Sequence, residues 1–316
     1  MSKFSICIAT YKRPKGLQRL LQSLDNLELN VQSSDITVVV VDNDKEMSSE
    51  EVVSRWAEKA KFKVVYAHEP QRGIPYARNR CCLLADDTDY VLFIDDDEVA
   101  DSRWLLELRE AQRKFNADVV VGAVLSVFEV DVPDWLRSEF ERPRYKIGTV
   151  INTLNTGNVM IRRSILRNVE GPFDTSRTFS GGTDTLLGCQ LNKMGARIIW
   201  ADDAKVSEII PINRARLSWL LQREFRGGNA FSVQLRLLKA SKIKLVTRFL
   251  KCLAKIILGF GLMAYGFLLS YKKAVVGMSL MANGAGGVSG MLGLIYNEYA
   301  CVNNGQEKRW QWLKSQ

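Results

Sequence analysis

The sequence predicts an α/β fold, a mostly parallel doubly wound sheet followed by a helical C-terminal region, and three observations predict it. Apolar runs at residues 4–9, 36–41 and 91–94 suit strands buried on both faces. Helical patterns separate them, as the crossovers of a parallel sheet require. Each run stops at polar side chains: Thr10 and Tyr11, then Asp42 and Asp44, then Asp95, Asp96, Asp97 and Glu98 without a break. The carboxyl ends of the strands are where an open α/β sheet forms its ligand crevice.

Residues 10–14 read Thr-Tyr-Lys-Arg-Pro, a polar turn with proline at a helix start, and Leu17, Leu20, Leu21, Leu24 and Leu27 then recur at helical spacing. The second strand is followed by a helix over 49–60 and a third strand at 63–67. A Gln-Arg-Gly-Ile-Pro turn at 71–75 leads into a helix at 76–85 carrying Arg78, with Arg72 and Arg80 expected to face solvent. The fourth strand ends in the acidic run, and a helix over 102–115 follows with Asp101 as its N-cap. Residues 117–127 are rich in β-formers, whereas 128–150 read as irregular, with Pro133, Trp135, Pro143 and Tyr145, and offer a surface for a substrate. Strands at 158–162 and 198–200, a helix from Gly181-Gly182-Thr183-Asp184 onward and another over 217–225 complete this part.

Four adjacent carboxylates repel one another, and a hard divalent cation with a phosphate beyond it relieves the repulsion. A solvated acidic turn that caps the next helix is the plainer alternative. There is no Gly-x-Gly-x-x-Gly after the first strand and no Gly-x-x-x-x-Gly-Lys-Ser/Thr, so neither a dinucleotide dehydrogenase nor a P-loop NTPase is supported. Six cysteines without a Cys-x-x-Cys pair, and His68 as the one histidine, argue against structural zinc. The first strand follows Met1-Ser2-Lys3 at once, which leaves no signal peptide and predicts a cytosolic N-terminal domain.

The net charge of +9 has a location. Residues 225–297 hold ten Lys or Arg and no Asp or Glu, leaving 34 basic against 35 acidic residues elsewhere. The excess belongs to one segment and calls for no nucleic acid. Lys244, Arg248, Lys251 and Lys255 are spaced four, three and four, opposite Val246, Phe249, Leu250, Leu253 and Ile257. That pattern suits a helix lying on an anionic membrane surface. Residues 256–271 are uncharged over about 24 Å of helix, short for a span. Residues 274–297 are long enough but glycine-rich, and Gly286, Gly290 and Gly293 suit close helix packing. A monotopic anchor is the expectation, with a spanning hairpin second.

Six motifs, in their order and spacing, carry a resemblance. They are Ser-Ile-Cys-Ile-Ala-Thr-Tyr-Lys-Arg-Pro at 5–14, Val-Val-Val-Asp-Asn-Asp at 39–44 and Gly-Ile-Pro-Tyr-Ala-Arg-Asn at 73–79. Phe-Ile-Asp-Asp-Asp-Glu at 93–98, Thr-Gly-Asn-Val-Met-Ile-Arg at 156–162 and Gly-Gly-Thr-Asp at 181–184 follow. The chain thereby resembles the family 2 glycosyltransferases, which have the GT-A fold, and within them bacterial exopolysaccharide enzymes of the succinoglycan type.

The resemblance implies that Thr10 and Tyr11 frame a donor nucleotide, that Asp42 accepts from its base edge, and that Arg78 lies beside it. It implies that Asp95 and Asp97 hold Mn²⁺ or Mg²⁺ on the donor diphosphate, with Asp96 at the donor as well, and that Glu208 approaches the metal. Asp184 matches the base that takes a proton from the acceptor hydroxyl, a poor nucleophile until that proton leaves. The family usually writes Glu-Asp there and this chain has Thr183-Asp184. A carboxylate at a helix start is also an ordinary N-cap. Arg223 and Arg226 lie on one helix face, suited to a diphosphate or an anionic acceptor. The Gln-x-x-Arg-Trp signature of processive synthases is missing, which predicts one sugar per binding event.

The expectation is an inverting, metal-dependent glycosyltransferase on the cytoplasmic face of the bacterial inner membrane, with residues 1–231 catalytic and 232–316 membrane-associating. It moves one sugar from a nucleoside diphosphate sugar, a UDP-sugar in the first instance, to a polyprenyl-diphosphate-linked saccharide. The alternatives are transfer straight to a polyprenyl phosphate and a non-catalytic membrane adaptor of the same fold.

Overall fold

The computed structural model describes residues 2–177, 182–296 and 310–312. Gly181 and Cys301 lie outside the described residues. The first elements alternate as β1 (Phe4–Thr10), α1 (Pro14–Asp25), β2 (Ile36–Asp42), α2 (Glu50–Ala57), β3 (Lys63–His68), α3 (Ile74–Leu84) and β4 (Tyr90–Ile94). After them come β5 (Glu98–Ala100), α4 (Trp104–Phe115), β6 (Val119–Phe128), α5 (Asp134–Phe140), β7 (Asn158–Arg162), α6 (Arg163–Leu166), α7 (Thr183–Lys193) and β8 (Ile198–Ile210). The remainder is α8 (Leu217–Leu237), α9 (Lys242–Leu269), α10 (Tyr271–Met291) and a small antiparallel pair, β9 (Leu294–Tyr296) with β10 (Trp310–Trp312).

Eight strands form one mixed sheet in the order β3-β2-β1-β4-β7-β6-β8-β5. The parallel half is β3-β2-β1-β4, and β7 then joins β4 antiparallel. Successive β1 residues serve opposite layers. Ile6 and Ile8 pack with Leu17, Leu20 and Trp104 on one face, while Cys7 packs with Val39, Phe93 and Phe173 on the other. Covering both faces is what makes these strands continuous apolar runs.

Four elements differ from the sequence expectation, among them the helix read over 217–225, which runs on to Leu237. The fourth helix starts at Trp104, because Asp101 Oδ1 instead accepts from the Arg103 backbone N–H (3.0 Å) ahead of the helix. The stretch read as irregular contains α5, whose Leu136 and Phe140, four apart, are buried with Val132 and Ile210. The strand read as 198–200 runs on to Ile210, since Ala204 and Val206 alternate into the same core layer as Ile199 and Ala201.

The described residues fall into two compact units. The first holds the sheet; the second holds Phe128–Glu141 and the chain from Ile210. The second unit takes up the chain from Ile210, whereas the 231/232 division expected from sequence marks where the resemblance ends. Within the second unit α10 is the middle helix, with α8 on one side and α9 on the other. A Cβ on Gly284 would meet the Cys252 carbonyl at 2.7 Å, and one on Gly290 the Asn229 carbonyl at 2.6 Å, so glycine permits both close approaches. Of the four basic residues expected on one wet face of α9, Lys244 and Lys251 are exposed, but Arg248 and Lys255 turn inward. Arg248 fits beside Gly287 and donates to Ser232 Oγ (3.0 Å) and the Gly228 carbonyl (3.1 Å), and Lys255 donates to Asn283 Oδ1 (2.8 Å).

Candidate functional site

The parallel register sets the site. β1 and β2 end side by side, Thr10 opposite Asp42, and β4 lies on the other flank of β1 and runs straight into Asp95. From Asp95 to Glu98 the chain forms a tight turn closed in both directions. The Glu98 N–H donates to the Asp95 carbonyl (3.1 Å), and the Asp95 N–H donates to Glu98 Oε2 (2.9 Å). Glu98, the last carboxylate of the run, is buried, and a Cβ on Gly157 would meet its Oε1 at 2.5 Å. The Ile209 N–H donates to the Asp97 carbonyl (3.0 Å) and pins the turn to β8.

The side chains of the turn point to three sets of partners. Asp96 is buried; its Oδ2 accepts from Thr10 Oγ1 (2.9 Å) and its Oδ1 from Arg13 Nη1 (3.0 Å). The same Arg13 nitrogen donates to Asp97 Oδ2 (2.9 Å). Asp95 Oδ1 accepts from Arg78 Nη2 (2.8 Å), and the Arg78 guanidinium lies over the Phe173 ring. Burial pushes the Asp96 carboxyl up to about 6, Arg13 pulls it down and Asp97 adds to the rise. Burial, with Asp95 beside it, holds Glu98 well above the carboxylate range. Burial works against charge on Arg13, yet Asp96 and Asp97 more than offset it and keep the guanidinium firmly protonated.

The predicted residues are therefore partly gathered. Thr10, Asp95, Asp96, Asp97 and Arg78 stand together at the strand ends. Tyr11 is beside them in sequence, its ring flanked by Lys12 (5.6 Å) and Arg72 (5.3 Å), so Arg72 is half-buried on an aromatic face instead of facing solvent. Asp42 is wholly buried and its oxygens are engaged within the protein. Oδ1 accepts from the Asp44 N–H (2.9 Å), and Oδ2 from the Ser49 N–H (2.9 Å) and Tyr66 hydroxyl (3.2 Å). In this geometry Asp42 shapes the loop after β2. Asn43 ties that loop to the next one, accepting from the Gly73 N–H (2.6 Å) and donating to the Glu69 and Gln71 carbonyls.

Glu208 lies opposite Glu98 in the β5–β8 pair, and Arg142 binds its carboxylate. Asp184 is half-buried in the first turn of α7, where the helix dipole favours a carboxylate, and its Oδ1 accepts from the Thr185 N–H (2.7 Å). Asn158, in the Thr-Gly-Asn motif, is structural. It accepts from Trp104 Nε1 (2.8 Å) and donates to the Ala123 (2.9 Å) and Ala204 (2.8 Å) carbonyls, joining β7 to α4, β6 and β8. Sequence reading missed Arg13 and Arg142. A basic residue next to the Thr-Tyr turn was a usable signal for Arg13; Arg142 lay in a stretch with no periodicity.

For a divalent cation the donor set is hard oxygen, with the Asp95 and Asp97 side chains 37% and 19% exposed at the mouth and Asp96 deeper. Among the described residues no group of three His, Cys, Asp or Glu forms a complete site. Mg²⁺-type sites commonly take one or two carboxylates and complete the shell with substrate phosphates and water, and Asp95 and Asp97 fit that kind of site.

Glycosyl transferase family 2 matches residues 5–170, just over half the chain, from the second residue of β1 through β7. The chain belongs to that family. This family 2 glycosyltransferase is 35% identical to the succinoglycan biosynthesis protein ExoM of Rhizobium meliloti (strain 1021) over 226 residues, 71% of this chain and 72% of ExoM. It is 27% identical over 244 residues to a pre-mycofactocin glycosyltransferase of Mycobacterium tuberculosis, covering 73% of this chain and 47% of that protein. Its fold is similar to that of a mannosyltransferase from Pyrobaculum calidifontis in complex with GDP-Man and Mn²⁺ (TM-score 0.64, 16% identity, 91% of this chain and 87% of the other). It is also similar to S. aureus TarS 1–349 in complex with UDP (TM-score 0.52, 16% identity, 99% and 100%). This family 2 glycosyltransferase has a GT-A-like sheet, transfers sugar from a nucleoside diphosphate donor, and is related to bacterial exopolysaccharide enzymes.

Proposed function

We propose that this enzyme is an inverting, metal-dependent transferase that moves a single sugar from a nucleoside diphosphate sugar, a UDP-sugar, to a hydroxyl of a polyprenyl-diphosphate-linked saccharide. The observation that carries the donor half is the acidic turn held between Arg13 and Arg78 at the parallel strand ends. A diphosphate leaving group needs charge neutralised on it, and two arginines with two carboxylates for a cation meet that need. Asp95 and Asp97 would hold Mn²⁺ or Mg²⁺, which supplies Lewis-acid stabilisation of the departing diphosphate. The Mn²⁺ bound in the structurally similar mannosyltransferase supports this reading. Arg13 and Arg78 orient the carboxylates, and Thr10 fixes Asp96 behind them.

The acceptor half rests on Asp184 and on the C-terminal helices. Asp184 stands in the first turn of α7, where the helix dipole favours a carboxylate, and a carboxylate is the type of group that takes a proton from an attacking hydroxyl. A single displacement with that base inverts the anomeric centre. The likeness to a succinoglycan biosynthesis protein supports a saccharide acceptor in surface polysaccharide assembly, and the long apolar α9 supports an acceptor and enzyme meeting at the cytoplasmic face of a membrane.

The test is transfer to a lipid-diphosphate-linked saccharide by Asp184→Asn, with donor binding followed separately. Transfer should fall by about 10²–10⁴-fold, the usual value of general base catalysis, while donor affinity stays near that of the parent. Unchanged transfer would remove Asp184 from the mechanism. Transfer that survives only with polyprenyl phosphate, whose oxyanion needs no base, would replace the saccharide acceptor with that lipid.

A further inference from the structure

We infer that α9 lies in the plane of an anionic lipid surface along its whole length, as the outer layer of the helical unit, and does not cross the bilayer. The inference rests on the membrane-bound reading above and concerns how that contact is made. At about 1.5 Å per residue the 28 residues of α9 are long enough to cross, so length does not decide between the two arrangements. The distribution of charge and exposure does.

One stripe of α9 is apolar and exposed from end to end. Ile243, Leu250, Ile257 and Ala264 recur at steps of seven, with Val246, Leu253 and Phe260 between them. Seven residues is nearly two turns, so the stripe drifts only about 20° per step and stays on one face. Its large side chains are exposed from 37% at Leu253 to 79% at Ile243, and Leu268 beyond them reaches 83%. Such a surface, about 40 Å long, is far larger than the scattered apolar residues of an ordinary soluble face.

A crossing helix would carry polar groups to the wrong depth. Lys255 sits at the middle of α9 and donates to Asn283 Oδ1 (2.8 Å), and Asn283 Nδ2 donates to Glu224 Oε2 (3.0 Å) on α8. This chain of contacts joins all three helices halfway along α9. In a spanning hairpin it would stand at the bilayer midplane, with Arg223 and Arg226 of α8 close by, where charged groups are costly. The turn between α9 and α10 also stays with its own unit. The Tyr271 ring meets Trp135 of α5 edge-on at 5.2 Å, and Lys272 lies in the field of Glu139 on the same helix. In the in-plane arrangement these groups stay on the aqueous side of the stripe.

The occupant follows from charge. Lys242 and Lys244 are exposed at one end of α9, Lys251 partway along it, and Lys272 and Lys273 just past the other end, with no acidic residue in α9 or α10. Lysines at both ends bring both ends to one headgroup layer, and each adds attraction to an anionic leaflet.

The full chain is tested with vesicles of phosphatidylcholine, with or without an equal part of phosphatidylglycerol, by flotation and by depth. An environment-sensitive fluorescent amino acid is placed in turn at Val246, Ile257 and Leu268, and quenched by lipids carrying a nitroxide either near the headgroup or deep in the chain. The inference expects flotation with phosphatidylglycerol that weakens at least tenfold without it, and the same shallow quenching at all three positions. Deep quenching at Ile257 with shallow quenching at Val246 and Leu268 would overturn it and leave the membrane-bound reading intact. Equal flotation on both vesicles would overturn the anionic partner. No flotation at all would remove the membrane-bound reading itself.

Discussion

In the catalytic unit Asp95, Asp96, Asp97 and Glu98 crowd one strand end and two of them are buried, whereas α9 spaces four of its five basic residues three and four apart and leaves two of those four exposed. The crowded charges need fixed partners, and Thr10, Arg13 and Arg78 supply them at hydrogen-bond distance. The spaced charges of Lys244 and Lys251 are solvated and need none. The contrast teaches how charge is used. On the proposed reading, carboxylates packed against the protein would hold a cation for one diphosphate, and lysines left in water would attract a diffuse anionic surface.

The comparison breaks most readily at Asp97. Replacing Asp97 with Ala removes one of the two carboxylates proposed for the cation and takes away one of Arg13's two carboxylate partners. Losing several kcal/mol of charge stabilisation corresponds to a fall in transfer of about a thousandfold, to be measured with saturating donor across a Mn²⁺ titration. Vesicle flotation should not change. A loss of lipid binding in Asp97→Ala would show that the two charge systems are not independent.

Two glycines sharpen it further, because the same insult should have different consequences. A Cβ on Gly16 would meet the Asp96 carbonyl at 2.6 Å, and one on Gly284 the Cys252 carbonyl at 2.7 Å. Both neighbours are backbone, so each alanine substitution forces a shift costing about 1–3 kcal/mol in thermal or denaturant unfolding. Gly16→Ala displaces the acidic turn, so donor affinity should drop with stability. Gly284→Ala separates α9 from α10, so flotation should weaken while donor affinity holds. Equal loss of donor affinity in both variants would refute the assignment of Gly16 to the site.

How much of this was legible in the sequence depended on whether a residue's partner was near it in a pattern. The strand runs, the acidic turn and the helix of Leu17, Leu20 and Leu24 carry their own periodicity, and the structure places them as expected. Arg13 was not legible as a partner of Asp96 and Asp97, because β1 and β4 become neighbours only when the sheet forms. Asp42 at a strand end reads as a ligand group, yet its oxygens are engaged by Asp44, Ser49 and Tyr66, partners set by the loop and by β3. The same holds for α9. Its spacing announced an amphipathic helix, but glycines on α10 decided that Arg248 and Lys255 would turn inward.

The smallest effect tests the loose side of the comparison. Lys244 and Lys251 are the two of the four basic residues on that face that remain exposed, so their substitution should cost the fold little: within about 0.5 kcal/mol, as for most surface positions. Near an anionic leaflet each lysine contributes about 1 kcal/mol, and reversing its charge about doubles the change. Lys244→Glu and Lys251→Glu should therefore each weaken partitioning onto phosphatidylglycerol vesicles by about tenfold or somewhat more. Raising the salt should narrow the gap between variant and parent, since screening acts on the attraction that only the parent has. Lys255→Glu is the control. It puts a carboxylate against Asn283 and Glu224 inside the helical unit, so it should lower the unfolding midpoint. If Lys244→Glu and Lys251→Glu destabilise the fold as Lys255→Glu does, those lysines are tied to the protein and the distinction between fixed and solvated charge fails.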